Sequence, residues 1–159
     1  MKLLSNALTL FIIIALAVMM FHGKPEQQAA RDLSEDDVFC MVQNVYHEAR
    51  DQSLLGQVAV AHVTLNRVKS PAYPDSVCGV VWQPNQFSWT NDGKSDRMTD
   101  LDAIGKAVDV ALAASRGKIK DPTDGALHYY AHRKVKPGWA SVGYRLIVGE
   151  HTFVRLVGR

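Results

Sequence analysis

The run Asn44-Val45-Tyr46-His47-Glu48-Ala49-Arg50 places a phenol, an imidazole, a carboxyl and a guanidinium within about two turns of chain. A carboxylic acid that stays protonated near neutral pH can protonate a leaving oxygen, the step that opens a glycosidic bond. Partial burial beside apolar groups raises a carboxyl pKa and supplies such an acid. Glu48 has Val45 and Tyr46 beside it. It also falls near the end of a predicted helix, where the dipole disfavours a negative charge. Arg50 opposes both effects if it points at Glu48. Taken alone, the pattern is weak, because a Glu on an amphipathic helix is far more often a solvated surface group.

Further along, Gln86-Phe87-Ser88-Trp89 combines aromatic faces with amide and hydroxyl groups, a set suited to sugar rings and their hydroxyls. By composition, Phe87 and Trp89 fit a binding role and a core role equally. Tyr129 and Tyr130 alternate along a predicted strand, so one faces inward, and Tyr129 is assigned to the cleft. Trp139, in Lys136-Pro137-Gly138-Trp139, either lines that cleft or covers the core. No CxxC or HExxH occurs, and His47, His62, His128, His132 and His151 lack metal-ligand spacing. No metal or other cofactor is therefore expected. His62 reads as a core histidine.

The elements that must position these groups follow from caps and periodicity. Ser34 with Glu35, Asp36 and Asp37 opens a helix running to about Arg50. Its apolar stripe is Phe39, Val42, Tyr46 and Ala49, widened by Val38 and Val45. Ser53 caps a second helix to about Val68, apolar nearly all round and so predicted to be buried. Val77 to Trp82 is a short apolar run that periodicity leaves as helix or strand. Gln83 to Arg97 reads as loop. A third helix opens at Thr99-Asp100, with Leu101, Ile104, Val108, Ala111 and Leu112 as its face and Gly117 as its stop. Ala126–Ala131, Tyr144–Val148 and His151–Leu156 read as strands, the last two joined tightly at Gly149-Glu150. Helices first and a small antiparallel sheet later predict an α+β domain over 34–159.

Several separated stretches resemble, in order, the family of cell-wall hydrolases that includes the spore-cortex-lytic enzyme SleB. They are Tyr46 to Arg50, Gly56 to Ala61, Leu65 to Val68, Tyr73 to Val81, Gln86 to Trp89, Asp121-Pro122-Thr123, Gly125-Ala126 and Gly149 to Phe153. The resemblance implies a lysozyme-like domain acting on peptidoglycan, with Glu48 as the catalytic acid and a mechanism akin to that of lytic transglycosylases. It raises Gln86, Phe87, Ser88 and Trp89, with Tyr46, to substrate-binding candidates. One departure concerns a second acid. Many relatives continue Glu-Ala-Arg-Gly-Glu, whereas this chain has Asp51-Gln52. Two-carboxylate hydrolysis needs a partner acid; transglycosylation needs one carboxyl, and is favoured here. Asp51, Asp92, Asp96, Asp121 and Asp124 remain as carboxylates that loops could bring near Glu48. Cys40 and Cys78 form an even pair, read as a disulfide or as two buried thiols. Export favours the disulfide, as does the resemblance, since relatives carry a Cys before each motif.

At the N-terminus, Leu3 to Gly23 is a 21-residue uncharged and mostly apolar stretch between Lys2 and Lys24. At roughly 30 Å it is long enough to cross a bilayer. It reads as a signal anchor or a cleaved signal peptide over 1–23, followed by a polar linker over 24–33. The expected location is the bacterial inner membrane and periplasm, in a phage or prophage endolysin of the signal-anchor type or else a bacterial wall-remodelling enzyme. A net charge of +2 gives no basis for nucleic-acid binding. The competing readings are a zinc amidase and a non-catalytic wall-binding scaffold.

Overall fold

The computed structural model describes residues 33–156. The expected anchor over 1–23, and the expected linker up to residue 32, lie outside the described residues. Leu33, at the linker's end, packs against the helical core.

Three helices start where a side-chain cap meets an apolar run. Ser34 Oγ accepts the Asp37 N–H at 3.1 Å and opens α1 (Glu35–Ala49). Ser53 Oγ accepts from Gly56 N and opens α2 (Leu54–Lys69). Asp100 accepts from Ala103 N at 3.0 Å and opens α4 (Leu101–Ser115). Each such cap contributes about 1 kcal/mol. The run left open between helix and strand is the short helix α3 (Val77–Val81). Ser76 caps it, and Asp37 at the start of α1 accepts the Cys78 N–H at 2.8 Å. Cys40 and Cys78 are disulfide-bonded, with 5.2 Å between their Cα atoms, so α3 is bridged to α1 both covalently and by hydrogen bonding. The loop over 83–97 contains a 3-10 turn at Ser88–Asn91.

Two predicted faces are displaced. Phe39 is 55% exposed, because Cys40, Met41, Val42, Val45, Tyr46 and Ala49 fill the inward face of α1. Leu101 is 81% exposed; the buried line of α4 runs through Ala103, Ala107, Val110, Ala111 and Ala114. Small residues let α4 approach α1 and α2 closely. Alanines carry little weight in an apolar pattern beside leucine and isoleucine, which is why the face read differently.

The three strands β1 (His128–Ala131), β2 (Tyr144–Val148) and β3 (His151–Arg155) form an antiparallel sheet in the order β1-β3-β2. The first predicted strand starts two residues late. Ala126 is held instead by a turn, its N–H donating to Thr123 Oγ1. Val148 pairs with His151 across the two-residue loop Gly149-Glu150, where Gly149 takes φ +56°. That positive φ suits glycine in a tight hairpin.

The core has two parts. One joins α1, α3 and α4 to one face of α2. The other joins Ala49 and the α2 residues Ala59, Val60 and Val63 to Ala126, Val148 and Phe153 of the sheet side. Full burial of a Val or Phe side chain contributes about 1.5–3 kcal/mol. Exposed ion pairs such as Arg155–Asp124 contribute about 0–1 kcal/mol. Apolar contact therefore fixes the sheet on the helices. Tyr129 packs against both parts, at the seam where α1 ends. Among the described residues no helix is long and apolar enough to cross a membrane.

Candidate active site

Glu48 is the penultimate residue of α1, partly buried, at the seam between helices and sheet. The Tyr129 hydroxyl donates to Glu48 Oε2 at 2.9 Å. Burial raises the Glu48 carboxyl above its usual range, while the Tyr129 hydrogen bond and the charge of Arg67 work against that rise. Tyr129 itself is pushed well above the usual phenol range, first by burial and then by the Glu48 charge and the shared hydrogen bond. It therefore keeps its proton and remains a donor to Glu48 throughout the neutral range. The pair opens onto a cleft of about 910 Å³.

The end of α2 fixes the chain that carries Tyr129. Asn66 Nδ2 donates to Asp121 Oδ2 at 2.8 Å and to the Ala126 carbonyl at 3.3 Å. Arg67 Nε donates to the Leu127 carbonyl at 2.8 Å, one residue before β1. Asp121 also accepts from Thr123 N, Thr123 Oγ1 and Gly125 N, at 2.7, 2.6 and 2.9 Å. Burial would raise this carboxyl, but the hydrogen bonds from Thr123, Asn66 and Gly125 prevail and hold it below its usual range. The Asn66-Arg67 and Asp121-Pro122-Thr123 motifs thus act together, by setting the entry to β1.

Arg67 is only 5% exposed. Its guanidinium lies over the Phe87 and Tyr73 rings, at 5.2 and 5.3 Å. Its Nη1 is buried without a hydrogen-bond partner.

The loop wall is built on Trp89, whose indole N–H donates to Asn44 Oδ1 at 3.2 Å, while Asn44 donates to Thr64. His47 stacks on Trp89 at 4.5 Å and 21°. One face of the indole is thereby covered, and both His47 and Trp89 line the cleft. His47 Nε2 lies 3.3 Å from the Asp96 carbonyl and ties loop 92–97 to α1. Tyr46 is buried, and its hydroxyl accepts the Thr99 and Asp100 N–H groups at 3.2 and 3.3 Å. These bonds hold its hydroxyl below the usual phenol range and join α1 to the start of α4.

Glu48, Tyr46, Gln86, Phe87, Ser88, Trp89 and Tyr129 all line this one cleft. Trp139 is not among its lining residues; it packs on His128 and Tyr130, 5.2 and 5.9 Å away between ring centres. Of the loop carboxylates, Asp51, Asp92 and Asp96 line the cleft. Asp121 and Asp124 do not: Asp121 is engaged as described, and Asp124 pairs with Arg155 at 2.9 Å. Gln52 donates to Asp51 and accepts the Glu150 N–H, tying the end of α1 to the β2–β3 hairpin. Arg67, His47 and His151 belong to the site without a role having been read for them in the sequence. A lone arginine on a helix otherwise apolar enough to be buried was the available signal for Arg67. His62, as expected, is a buried histidine, its Nε2 3.1 Å from the Ile119 carbonyl. Among the described residues no group of three His, Cys, Asp or Glu is arranged to hold a metal ion.

The profile of the Cell Wall Hydrolase family matches residues 51–154. The spore cortex-lytic enzyme of Halalkalibacterium halodurans is 42% identical over 106 residues, covering 67% of this chain and 30% of that protein. That of Oceanobacillus iheyensis is 34% identical over 134 residues, covering 84% of this chain and 46% of that protein. The chain thus spans less than half the length of either relative. The crystal structure of the catalytic domain of the Bacillus cereus SleB protein superposes with a TM-score of 0.67 at 33% identity. It covers 79% of this chain and 94% of that domain, so the α+β arrangement of helices and small sheet is shared across nearly the whole domain. The family match begins three residues beyond Glu48, so it leaves out Tyr46, His47, Glu48 and Arg50 of the cleft, and it takes in α2, the Gln86 to Trp89 wall, the Asp121 turn and the sheet up to Val154. On sequence and fold together, the chain belongs to the Cell Wall Hydrolase family.

Proposed function

We propose that this chain is a lytic enzyme that cuts the glycan strands of peptidoglycan between muramic acid and glucosamine, with Glu48 as general acid and then base. The observation that carries this reading is the Glu48–Tyr129 pair: a carboxyl raised by burial, held by a phenol, at the wall of an open cleft. The names of the relatives and of the matched SleB domain support the substrate class.

In the proposed reaction Tyr129 occupies Glu48 Oε2, so the acid's proton is carried on Oε1. Glu48 gives that proton to the glycosidic oxygen as the bond from muramic-acid C1 to that oxygen breaks. The C6 hydroxyl oxygen then bonds to C1, and the Glu48 carboxylate takes the hydroxyl proton. The products are a 1,6-anhydromuramic end and a free glucosamine-side hydroxyl, and Glu48 is again protonated with no water consumed. We favour this lytic transglycosylation over hydrolysis because the reaction needs one carboxyl only. Hydrolysis would draw on Asp51, Asp92 or Asp96 to activate water. Mass spectrometry of digested peptidoglycan separates the two. Anhydro ends are expected; reducing ends labelled by heavy-oxygen water would establish hydrolysis instead.

We further propose that the domain works outside the cytoplasm, in a phage or prophage lysis role, carried by the 1–23 segment as a signal anchor. The Cys40–Cys78 disulfide supports an oxidising compartment, where such bonds persist. Fractionation of cells making the full chain tests this: a full-length, membrane-associated species is expected, and a shortened soluble product would mean a cleaved signal.

A further inference from the structure

Arg67 is a buried cation whose place in the fold exceeds what holding β1 requires. One nitrogen, Nε, makes the tie to the Leu127 carbonyl. A neutral donor could do the same without the penalty of burying a charge. Buried charges are ordinarily paired, yet among the described residues no carboxylate lies within 4.0 Å of Arg67, and its Nη1 has no hydrogen-bond partner at all. The aromatic faces of Tyr73 and Phe87 hold the guanidinium in place but do not neutralise it. On its other side Arg67 borders the cleft that Glu48 and Tyr129 line.

We propose that Arg67 is a positioning residue for the reaction: a fixed, uncompensated cation against which Glu48 becomes a carboxylate when it gives up its proton. This rests on the reading of Glu48 as the acid. While Glu48 is neutral, Arg67 has no counter-charge. Once the proton has moved to the leaving oxygen, the new carboxylate and the guanidinium attract each other through a poorly screened interior. The interaction is thus stronger after proton transfer than before it, the condition for lowering a barrier rather than merely tightening binding. The guanidinium is fixed beforehand, so nothing needs to reorganise as the charge forms.

The other charged or titratable groups around Glu48 do not substitute for Arg67. His47 precedes Glu48 on α1, and Arg50 and Asp51 follow the helix end. Asp92, Lys94, Asp96 and Arg97 come from the loop, Lys134 follows β1, and His151 and Glu150 come from the hairpin. The Tyr129 hydrogen bond and the Arg67 charge both favour the ionised form of Glu48, against the effect of its burial.

The test uses the full chain with Arg67→Gln, Arg67→Lys and Glu48→Gln. The Glu48 midpoint is followed by carbon-13 carboxyl NMR without substrate. Turnover of soluble glycan fragments is followed against pH. In Arg67→Gln the Glu48 midpoint and the alkaline limb of activity should both rise by at least about half a pH unit, and kcat should fall at least about tenfold with KM nearly unchanged. Arg67→Lys keeps the charge and loses the planar fork that lies over the Tyr73 and Phe87 rings. Its midpoint should stay within a few tenths of the wild-type value, even where its melting temperature falls. An unchanged midpoint in folded Arg67→Gln would overturn the proposal and leave Arg67 as a structural tie. If Arg67→Gln does not fold, Arg67→Lys decides, and a risen midpoint with the charge retained overturns the proposal. Full activity in Glu48→Gln would instead remove the reading of Glu48. The midpoint shift in Arg67→Gln does not depend on turnover, so the two failures are distinguishable.

Discussion

Tyr129 and burial pull the Glu48 carboxyl in opposite directions, and that balance sets its pH behaviour. The Tyr129 hydrogen bond favours the ionised form, so Tyr129→Phe should let the Glu48 pKa rise further. The alkaline limb of the pH–rate profile should then move to higher pH, while loss of the held geometry lowers the maximum rate. An alkaline limb that stays in place or moves down would contradict the assignment. Glu48 also marks stability. Its folded pKa lies above its ordinary value of 4.5, so the folded protein binds this proton more tightly than the unfolded chain. The stabilisation from that proton is full below pH 4.5 and is lost as pH rises through the folded value. Glu48→Gln removes the buried charge. At pH 7 it should melt at or above the wild-type temperature, and the gap should close as pH falls below 4.5. Thermal melts across pH 4 to 8 check this; a variant clearly less stable at pH 7 would mean that the carboxylate is a net stabilising group. At this scale the helix end marked Glu48 only weakly and the family resemblance singled it out; the strand alternation put Tyr129 in the cleft, where Tyr130 lines it too. The sequence was not readable for His47 and Arg67. His47 earns its place by stacking on Trp89, a contact across 42 positions, and Arg67 by the absence of a partner, which no local pattern displays.

The elements were legible where local chemistry decides them: three helix starts at Ser34, Ser53 and Asp100, and a hairpin at Gly149-Glu150. They were less legible where tertiary contact decides. The run Val77 to Val81 is helical because Ser76, Asp37 and the disulfide all act on its first turn. The face of α4 is set by alanines packed against α1 and α2 rather than by its bulkier residues. Trp139 packs on Tyr130 and His128 and does not line the cleft, although Tyr129 and Tyr130 both do; the two-residue period does not tell which side a distant loop will cover. The least visible device is the Asp121 turn. Its carboxylate gathers Asn66, Thr123 and Gly125 so that α2 can hold the carbonyls of Ala126 and Leu127. Asp121→Ala leaves those donors without their acceptor, a loss of about 1–3 kcal/mol. Urea denaturation should show it, and because Tyr129 follows on the same chain, lytic rate measured well below the melting temperature should fall as well. A destabilised variant with unchanged rate would separate the turn from the site.

For the whole molecule, the disulfide joins the second turn of α1, the helix that carries Glu48, to α3, which leads into the Gln86 to Trp89 wall. Closing a loop between residues 38 apart stabilises the fold by roughly 3 to 4 kcal/mol in the chain-entropy account. The Cys40→Ala, Cys78→Ala double variant should lose about that much in chemical denaturation; a loss below about 1 kcal/mol would show that packing alone holds the wall. The most direct test of the account is digestion of purified peptidoglycan by the full chain and by Glu48→Gln, with released fragments identified and timed by mass spectrometry. The account predicts 1,6-anhydromuramic ends from the wild type and at least about a hundredfold slower release from a folded Glu48→Gln protein. Fragments released by Glu48→Gln at the wild-type rate would contradict it.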